Sequence, residues 1–378
     1  MEKRRVALGE LAIGGVVPWD VYDGQGRLLL SKGHVITSSN QIEALIERGL
    51  FTEGEPRRER GKTAPPPEQA RSTTITLILD ARTQLQGICA PNAPHEHFPE
   101  QVLHIRRLLH DACRQNRNVA LASILLEREG RYSIRHSVDA AIICDVVGSA
   151  MNIAEAELTA LVAAALTMNI SMLRLQDDLQ GNRHPLTAEQ REIIASHPQH
   201  SVAMLQQLGV TDSVWLDTVL NHHEAIDGSG YPSHRKGEDI ALPAQLLAMA
   251  DIYCARISGR DYRPALRASS ALKALFLNQG AAIDKNLAAC LVKATGIYPP
   301  GTPVRLENGE IALVIEQGEK ANTPLVGSLI GPSGTRFAIP IQRDTGRPGY
   351  AVHDIVEWAQ AGPLPSMRLL WGKEGAVG

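Results

Sequence analysis

The sequence predicts a mainly α-helical protein, a helical bundle core with a small α/β module before it and a β-rich extension after it. Three observations carry this. Residues 75–295 repeat apolar residues at three- and four-residue steps, the spacing of amphipathic and buried helices. Residues 1–53 and 296–378 instead contain short alternating runs separated by glycine- and proline-bearing turns. Residues 54–74, within "EGEPRRERGKTAPPPEQARSTT", are charged, proline-rich and without periodicity, which reads as a linker.

In the first module, "VPWDVYDGQGRLLLSKGHVI" alternates on both sides of "DGQG", so a hairpin turning at Gly24–Gly26 is expected. "TSSNQIEALIERGLF" follows with Ile42, Leu45, Ile46 and Leu50 at helical spacing. The middle section holds five strongly periodic stretches. They are "FPEQVLHIRRLLHDACRQ", "YSIRHSVDAAIICDVVGSAM", "AEAELTALVAAALTMNISMLRL", "TAEQREIIASHPQHSVAMLQQLG" and "LPAQLLAMADIYCARISG". Thr187 followed by Gln190 gives the fourth stretch a capping-box start. The segment around Ala163–Leu166 is apolar nearly all round and is expected at the centre. In the last section "TPVRLENGEIALVIEQG" reads as two strands around "ENGE". More strands follow, and a helix is expected near "AVHDIVEWAQ".

Composition narrows the function. The formal net charge is −3 over 378 residues, which gives no electrostatic case for nucleic acid or an anionic membrane. The run Leu158–Leu175 is too short and interrupted for a membrane span. The N-terminus lacks an apolar signal-peptide segment. The five cysteines are scattered, with no CxxC pair, which argues against a disulfide framework or zinc-thiolate site and fits a reducing cytoplasm.

Thirteen histidines occur. Four stand on or beside apolar helical stretches, where a bare polar side chain needs a partner. They are His136 in "YSIRHS", His197 in "ASHPQHS", and the adjacent His222 and His223 in "NHHEAIDGSGYP"; Asp251 in "AMADIY" joins them. If helical, His222 and His223 point about a hundred degrees apart and could reach one site from two directions. Imidazoles and a carboxylate drawn from separate helices suit zinc, manganese or iron.

The order of these elements is similar to that of the HD-GYP domain, a branch of the HD superfamily of metal-dependent phosphohydrolases. "HHEAIDGSGYP" is close to the family's hallmark. "YSIRHS", "SHPQHS", "LPAQLLAMADIY", "GRDYRP" and "GIYPPGTPVRLENGEIALV" fall in the expected order, over roughly Tyr132–Val314. The resemblance implies an HD-superfamily helical core in a bacterial, cytoplasmic signalling protein. It implies hydrolysis of cyclic di-GMP at two or three metals, with Arg260 and Arg263 gripping the phosphates. The loop Asp227, Gly228, Gly230, Tyr231 and Pro232 would shape the site and contact diguanylate-cyclase domains.

The sequence departs from the family at its naming motif. Where a Leu-His-Asp-Ile-Gly-Lys run is expected, this chain has "LTMNISM". Met168 stands for the histidine, Asn169 for the metal-bridging aspartate, Ser171 for the glycine and Met172 for the lysine. Asn169 offers one neutral carbonyl oxygen, and Met168 is a soft, weak ligand for hard divalent ions. Two literal His-Asp pairs, His110–Asp111 and His353–Asp354, lie at the wrong places in the order. Three expectations follow. His197, His222 and His223 hold at most one divalent ion, zinc, manganese or iron, or none. His136 and Asp251 form a second, incomplete site. The protein is inactive or very weak as a phosphodiesterase and acts by binding cyclic di-GMP, a related nucleotide or a protein partner, with Tyr231 among the ligand contacts. The alternatives are an active phosphodiesterase with a rearranged site and a metal-free interaction module.

Overall fold

The computed structural model describes residues 3–5, 20–22, 28–32, 51–53, 72–182, 184–258 and 282–377. The chain forms two units, Met1–Arg71 and Ser72–Gly378.

In the first unit, β1 (Lys3–Arg5), β2 (Val21–Tyr22), β3 (Leu28–Leu30) and β4 (Phe51–Glu53) form one sheet in the order β1-β4-β2-β3. β2 and β3 pair antiparallel, Val21 opposite Leu30, as the alternation around "DGQG" predicts. The turn itself, the helix expected before Leu50 and the linker up to Arg71 lie outside the described residues; Thr74, the linker's last expected residue, instead opens the next helix.

The second unit is built on helices α1 (Thr74–Ile88), α2 (Phe98–Gln115), α3 (Arg117–Leu126) and α4 (Tyr132–Ala150). These are followed by α5 (Glu155–Thr167), α6 (Leu173–Gln180), α7 (Ala188–Gln207), α8 (Ser213–Asn221), α9 (Leu242–Ser258) and α10 (Lys285–Thr295). Local capping sets several starts. Thr73 accepts from the Thr76 N–H, Asn116 from Val119 and Asp212 from Trp215. The Thr187–Gln190 box is present at the start of α7.

α4 and α5 form the centre. Ile142, Ile143, Leu161, Val162 and Leu166 are buried there, against Leu246, Leu247 and Tyr253 of α9. Each such side chain contributes about 1.5–3 kcal/mol on burial. Residues 155–180 are apolar enough to cross a membrane by composition, with mean hydropathy 1.6 in the best window, yet 72% of that window is buried inside the protein. The segment is a core element.

The helix expected to run from Ala154 to Leu175 is broken. α5 ends at Thr167, a 3-10 turn follows at Ile170–Met172, and α6 starts at Leu173. Side chains compete with the helical ladder here. The Thr167 hydroxyl donates to the Ala163 carbonyl at 2.8 Å and accepts the Trp215 indole N–H at 2.8 Å. The Ser171 hydroxyl donates to the His197 carbonyl at 3.1 Å. The break carries the chain from the core onto α7.

The extension is an antiparallel five-stranded sheet in the order β8-β7-β6-β5-β9. Its strands are β5 (Pro303–Leu306), β6 (Ile311–Glu316), β7 (Leu325–Ile330), β8 (Arg336–Asp344) and β9 (Val352–Ile355). Val304 pairs with Ala312 across the "ENGE" turn, as expected. Buried Glu310 accepts from Arg343 Nε and Nη2 at 3.1 and 3.0 Å and from the Ser328 hydroxyl, tying β6, β7 and β8. Where a helix is expected near Ala351–Gln360, Val352–Ile355 form strand β9 and only the single turn α11 (Trp358–Ala361) is helical. Asp354, in the middle of β9, faces Arg305 of the paired strand.

The segment after α11 returns to the helical core. On α12 (Met367–Trp371), Met367 packs with Ile75, Val119 and Ala122. The first turn of α1 has no acidic residue of its own. Glu374 supplies the charge, accepting from the Thr74 backbone N–H at 3.0 Å, the Thr74 hydroxyl at 2.8 Å and the Gln115 side chain. Burial works against the Glu374 charge, but these bonds hold its carboxyl below its ordinary value of 4.5. A depressed carboxyl adds stability above that value and loses it as pH falls. Glu374→Gln is therefore expected to lower unfolding stability by about 1 kcal/mol at pH 7. The gap to wild type should close below pH 4.5, as measured by denaturant unfolding at several pH values.

Candidate active site

A proline inside α7 sets up the site. Pro198 has no N–H, so the Ile194 carbonyl loses its helical donor. His197 Nδ1 donates to that oxygen at 2.6 Å. His222 follows the last residue of α8, and its Nδ1 donates to the Val219 carbonyl at 2.7 Å, one of the free carbonyls of a helix end. Both protons are therefore on Nδ1, and both Nε2 atoms carry lone pairs. These Nε2 atoms face each other at 3.2 Å. Two lone pairs cannot bond each other. Two nitrogens on one tetrahedral ion, at ~2.0–2.1 Å each, lie about 3.3–3.4 Å apart. The pair has the spacing of ligands.

His223 completes a three-nitrogen group, its ligand atom within 4.8 Å of the other two. The His222 and His223 rings are 4.1 Å apart. His197 and His222 are buried, and His223 is partly exposed. Burial, helped by the neighbouring His222, lowers His197 to about 3. Burial also depresses His222 and His223. All three are neutral at physiological pH, the form in which imidazole binds a metal.

His136 on α4 and Asp251 on α9 also meet, but differently. His136 Nε2 and Asp251 Oδ1 are 2.6 Å apart, a hydrogen-bond length too short for two neighbouring ligands of one ion. The pair is closed on itself. His136 Nδ1 is buried without a partner, and Tyr132 stacks on the ring at 5.4 Å. Burial opposes the Asp251 charge. The bond to His136 and the imidazoles of His136, His223 and His222 outweigh it and hold the carboxyl well below the usual range.

Met168 is fully buried in the main apolar core. Asn169 is buried too, with its side-chain oxygen unpartnered. Met172 is half-buried on the 3-10 turn. The Ser171 hydroxyl, bonded to the His197 carbonyl and to Ser201 at 2.9 Å, fixes this segment against α7.

The glycine-rich loop covers His223. Tyr231 stacks on the His223 ring at 4.7 Å and 21°. Its backbone N–H donates to the His223 carbonyl at 3.0 Å, ahead of a cis Tyr231–Pro232 bond. Gly230 is obligatory, since a Cβ there would lie 2.4 Å from the His223 carbonyl oxygen and the Ala225 nitrogen. Gly228 has φ +80, and Asp227 accepts from the Ser229 N–H and hydroxyl. Glu224 pins the far side, accepting from the Ser233 and Arg235 backbone N–H groups at 2.6 and 3.0 Å.

Of the residues singled out in the sequence, the structure brings His197, His222, His223 and Tyr231 together and pairs His136 with Asp251. Arg260 and Arg263 lie outside the described residues. Of the two literal His-Asp pairs, His110 is engaged by Asp145 at 2.8 Å. Sequence reasoning missed Glu224, Pro198, Tyr132 and Ser201. Glu224 beside the two histidines and a proline inside a helical run were visible signals.

Residues 114–287 match the model of the HD domain family. The curated relatives it resembles are cyclic-dinucleotide phosphodiesterases. One is the cyclic di-GMP phosphodiesterase PA4108 of Pseudomonas aeruginosa, 30% identical over 236 residues, 61% of this chain and 56% of the relative. The cyclic di-GMP phosphodiesterase PdeB of Borreliella burgdorferi is 26% identical over 200 residues, 53% of this chain and 52% of the relative. A 3'3'-cGAMP-specific phosphodiesterase of Vibrio cholerae is 27% identical over 175 residues, 46% of this chain and 38% of the relative. The aligned part thus spans about half the length of the first two relatives. Among solved structures, Bd1817, an HDG"Y"P protein from Bdellovibrio bacteriovorus, aligns at TM-score 0.48 and 11% identity over 77% of this chain and 99% of that chain.

The loop geometry yields a test. Gly230→Ala forces backbone apart at His223 and Ala225. It should cost about 1–3 kcal/mol of stability in thermal or denaturant unfolding.

Proposed function

We propose that this chain is a cytoplasmic HD-GYP-type signalling protein that binds a cyclic dinucleotide, cyclic di-GMP first, with its hydrolytic centre impaired. One observation carries the impairment. At the end of α5, where the resemblance expects a histidine and a bridging aspartate, Met168 is turned into the apolar core and Asn169 presents a single neutral oxygen. A carboxylate there would offset the charge of two ions; a carboxamide cannot. The closed His136–Asp251 pair fits this reading, since a proton already occupies the space between the two groups.

One metal-binding group remains in the proposal: His197, His222 and His223 around one zinc, manganese or iron ion. Such an ion would supply Lewis acidity or a lowered water pKa. The protein's own contribution is to hold three neutral nitrogens in place and to cap them with Tyr231. Arg260 and Arg263 would grip the phosphates through bidentate forks. The loop Asp227–Pro232 is the surface proposed for a diguanylate-cyclase-domain partner.

Elemental analysis of protein purified without chelator should give no more than one ion per chain, lost in His222→Ala. Hydrolysis of cyclic di-GMP with added manganese or iron should be undetectable or very slow. A robust rate abolished by His223→Ala would make the protein an active phosphodiesterase with a rearranged site. Met168→His with Asn169→Asp should raise metal occupancy. Recovery of turnover is expected only when Ser171→Gly and Met172→Lys are added, because the phosphate contact is also missing.

A further inference from the structure

Four arginines gather at the C-terminal end of α3. Its last turn contains no basic residue. Three guanidinium groups from elsewhere reach its terminal carbonyls. Arg82 Nη1 donates to the Glu127 carbonyl at 3.0 Å, Arg128 Nε to Leu125 at 3.0 Å, and Arg135 Nη1 to the Arg128 carbonyl. Arg131 lies alongside. Two of the four have a direct ion pair. Asp139 takes Arg82 at 3.0 Å. Asp177 takes Arg131 at 2.7 Å and is filled by the Ser133 N–H and hydroxyl. Neither Arg128 nor Arg135 has an ion pair among the described residues.

A purely capping role accounts for part of this. A helix end carries about half a negative charge, which Arg82 and its neighbours offset. Capping uses one of the five N–H donors of each guanidinium. Arg135 Nε is buried without a partner. Arg128 is exposed, yet its guanidinium lies over the Trp358 indole at 5.3 Å, which fixes a side chain that would otherwise sweep through solvent. Two neighbouring, pre-positioned forks without a direct ion pair are suited to an oxygen anion. Their combined charge matches a phosphate monoester, which carries about −1.5 to −2 at pH 7, better than it matches a carboxylate.

We propose that Arg128 and Arg135, with Trp358 as backing, form a binding site for a phosphoryl group at the end of α3, outside the histidine cluster. The experiment is calorimetric titration of the full chain with inorganic phosphate and, separately, with guanosine 5'-monophosphate, at constant ionic strength. Wild type should show one saturable site, weakened at least about tenfold in Arg128→Gln and in Arg135→Gln, since each charge-assisted contact is strong. Equal affinity for both probes supports recognition of the phosphoryl group alone. Tighter binding of the nucleotide with the same arginine dependence supports a nucleotide as its source. No saturable binding in wild type overturns the proposal. So does binding that survives both arginine changes, or binding that survives Arg128→Gln and is lost in His222→Ala. Arg135 also holds a helix-end carbonyl, so circular dichroism melting accompanies each variant. Should Arg135→Gln fail to fold, the exposed Arg128→Gln decides alone.

Discussion

The site depends on a backbone oxygen that has lost its usual partner. Pro198 removes the N–H that would reach the Ile194 carbonyl, and the His197 ring fills the gap. Without that acceptor the imidazole could carry its proton on either nitrogen. With it, the proton is committed to Nδ1 and the lone pair to the interior. The end of α8 does the same for His222 through Val219. Two unrelated local features, a proline and a helix terminus, thus produce the same tautomer at neighbouring rings. Second partners that orient metal-ligating histidines are a general device, and here both are backbone.

The two centres separate on distance. At 3.2 Å the His197 and His222 nitrogens have room for an ion between them and no means of bonding without one. At 2.6 Å His136 and Asp251 have already satisfied each other. The difference matters because a buried carboxylate is expensive unless paired. Met168 and Asn169 add no carboxylate to this region. The hydrogen bond with His136 satisfies the Asp251 carboxylate oxygen. Tyr132 on one side and Tyr231 on the other then close the aromatic wall around the imidazoles.

Much of this was readable before the fold. The helical spacing of residues 75–295 marked the core, the "ENGE" turn marked its hairpin, and "HHEAIDGSGYP" marked both the loop and two of the three clustered histidines. What could not be read were outcomes of three-dimensional competition. "LTALVAAALTMNISMLRL" has unbroken helical periodicity, and the break after Thr167 comes from hydroxyls that bond to Trp215, His197 and Ser201. "AVHDIVEWAQ" has helical spacing too, but Val352–Ile355 is captured as an edge strand by β5. The direct contact of His136 with Asp251 joins residues 115 positions apart, and no local pattern encodes it.

The bond from Glu374 to the start of α1 spans 300 positions of sequence. During synthesis the first helix of the bundle therefore leaves the ribosome long before the carboxylate that caps it. At roughly 5–20 residues per second the delay is about 15–60 seconds. Through that interval the amide and hydroxyl of Thr74 must be satisfied by water. The apolar face around Ile75, which Met367 later covers, stays open to other chains emerging nearby.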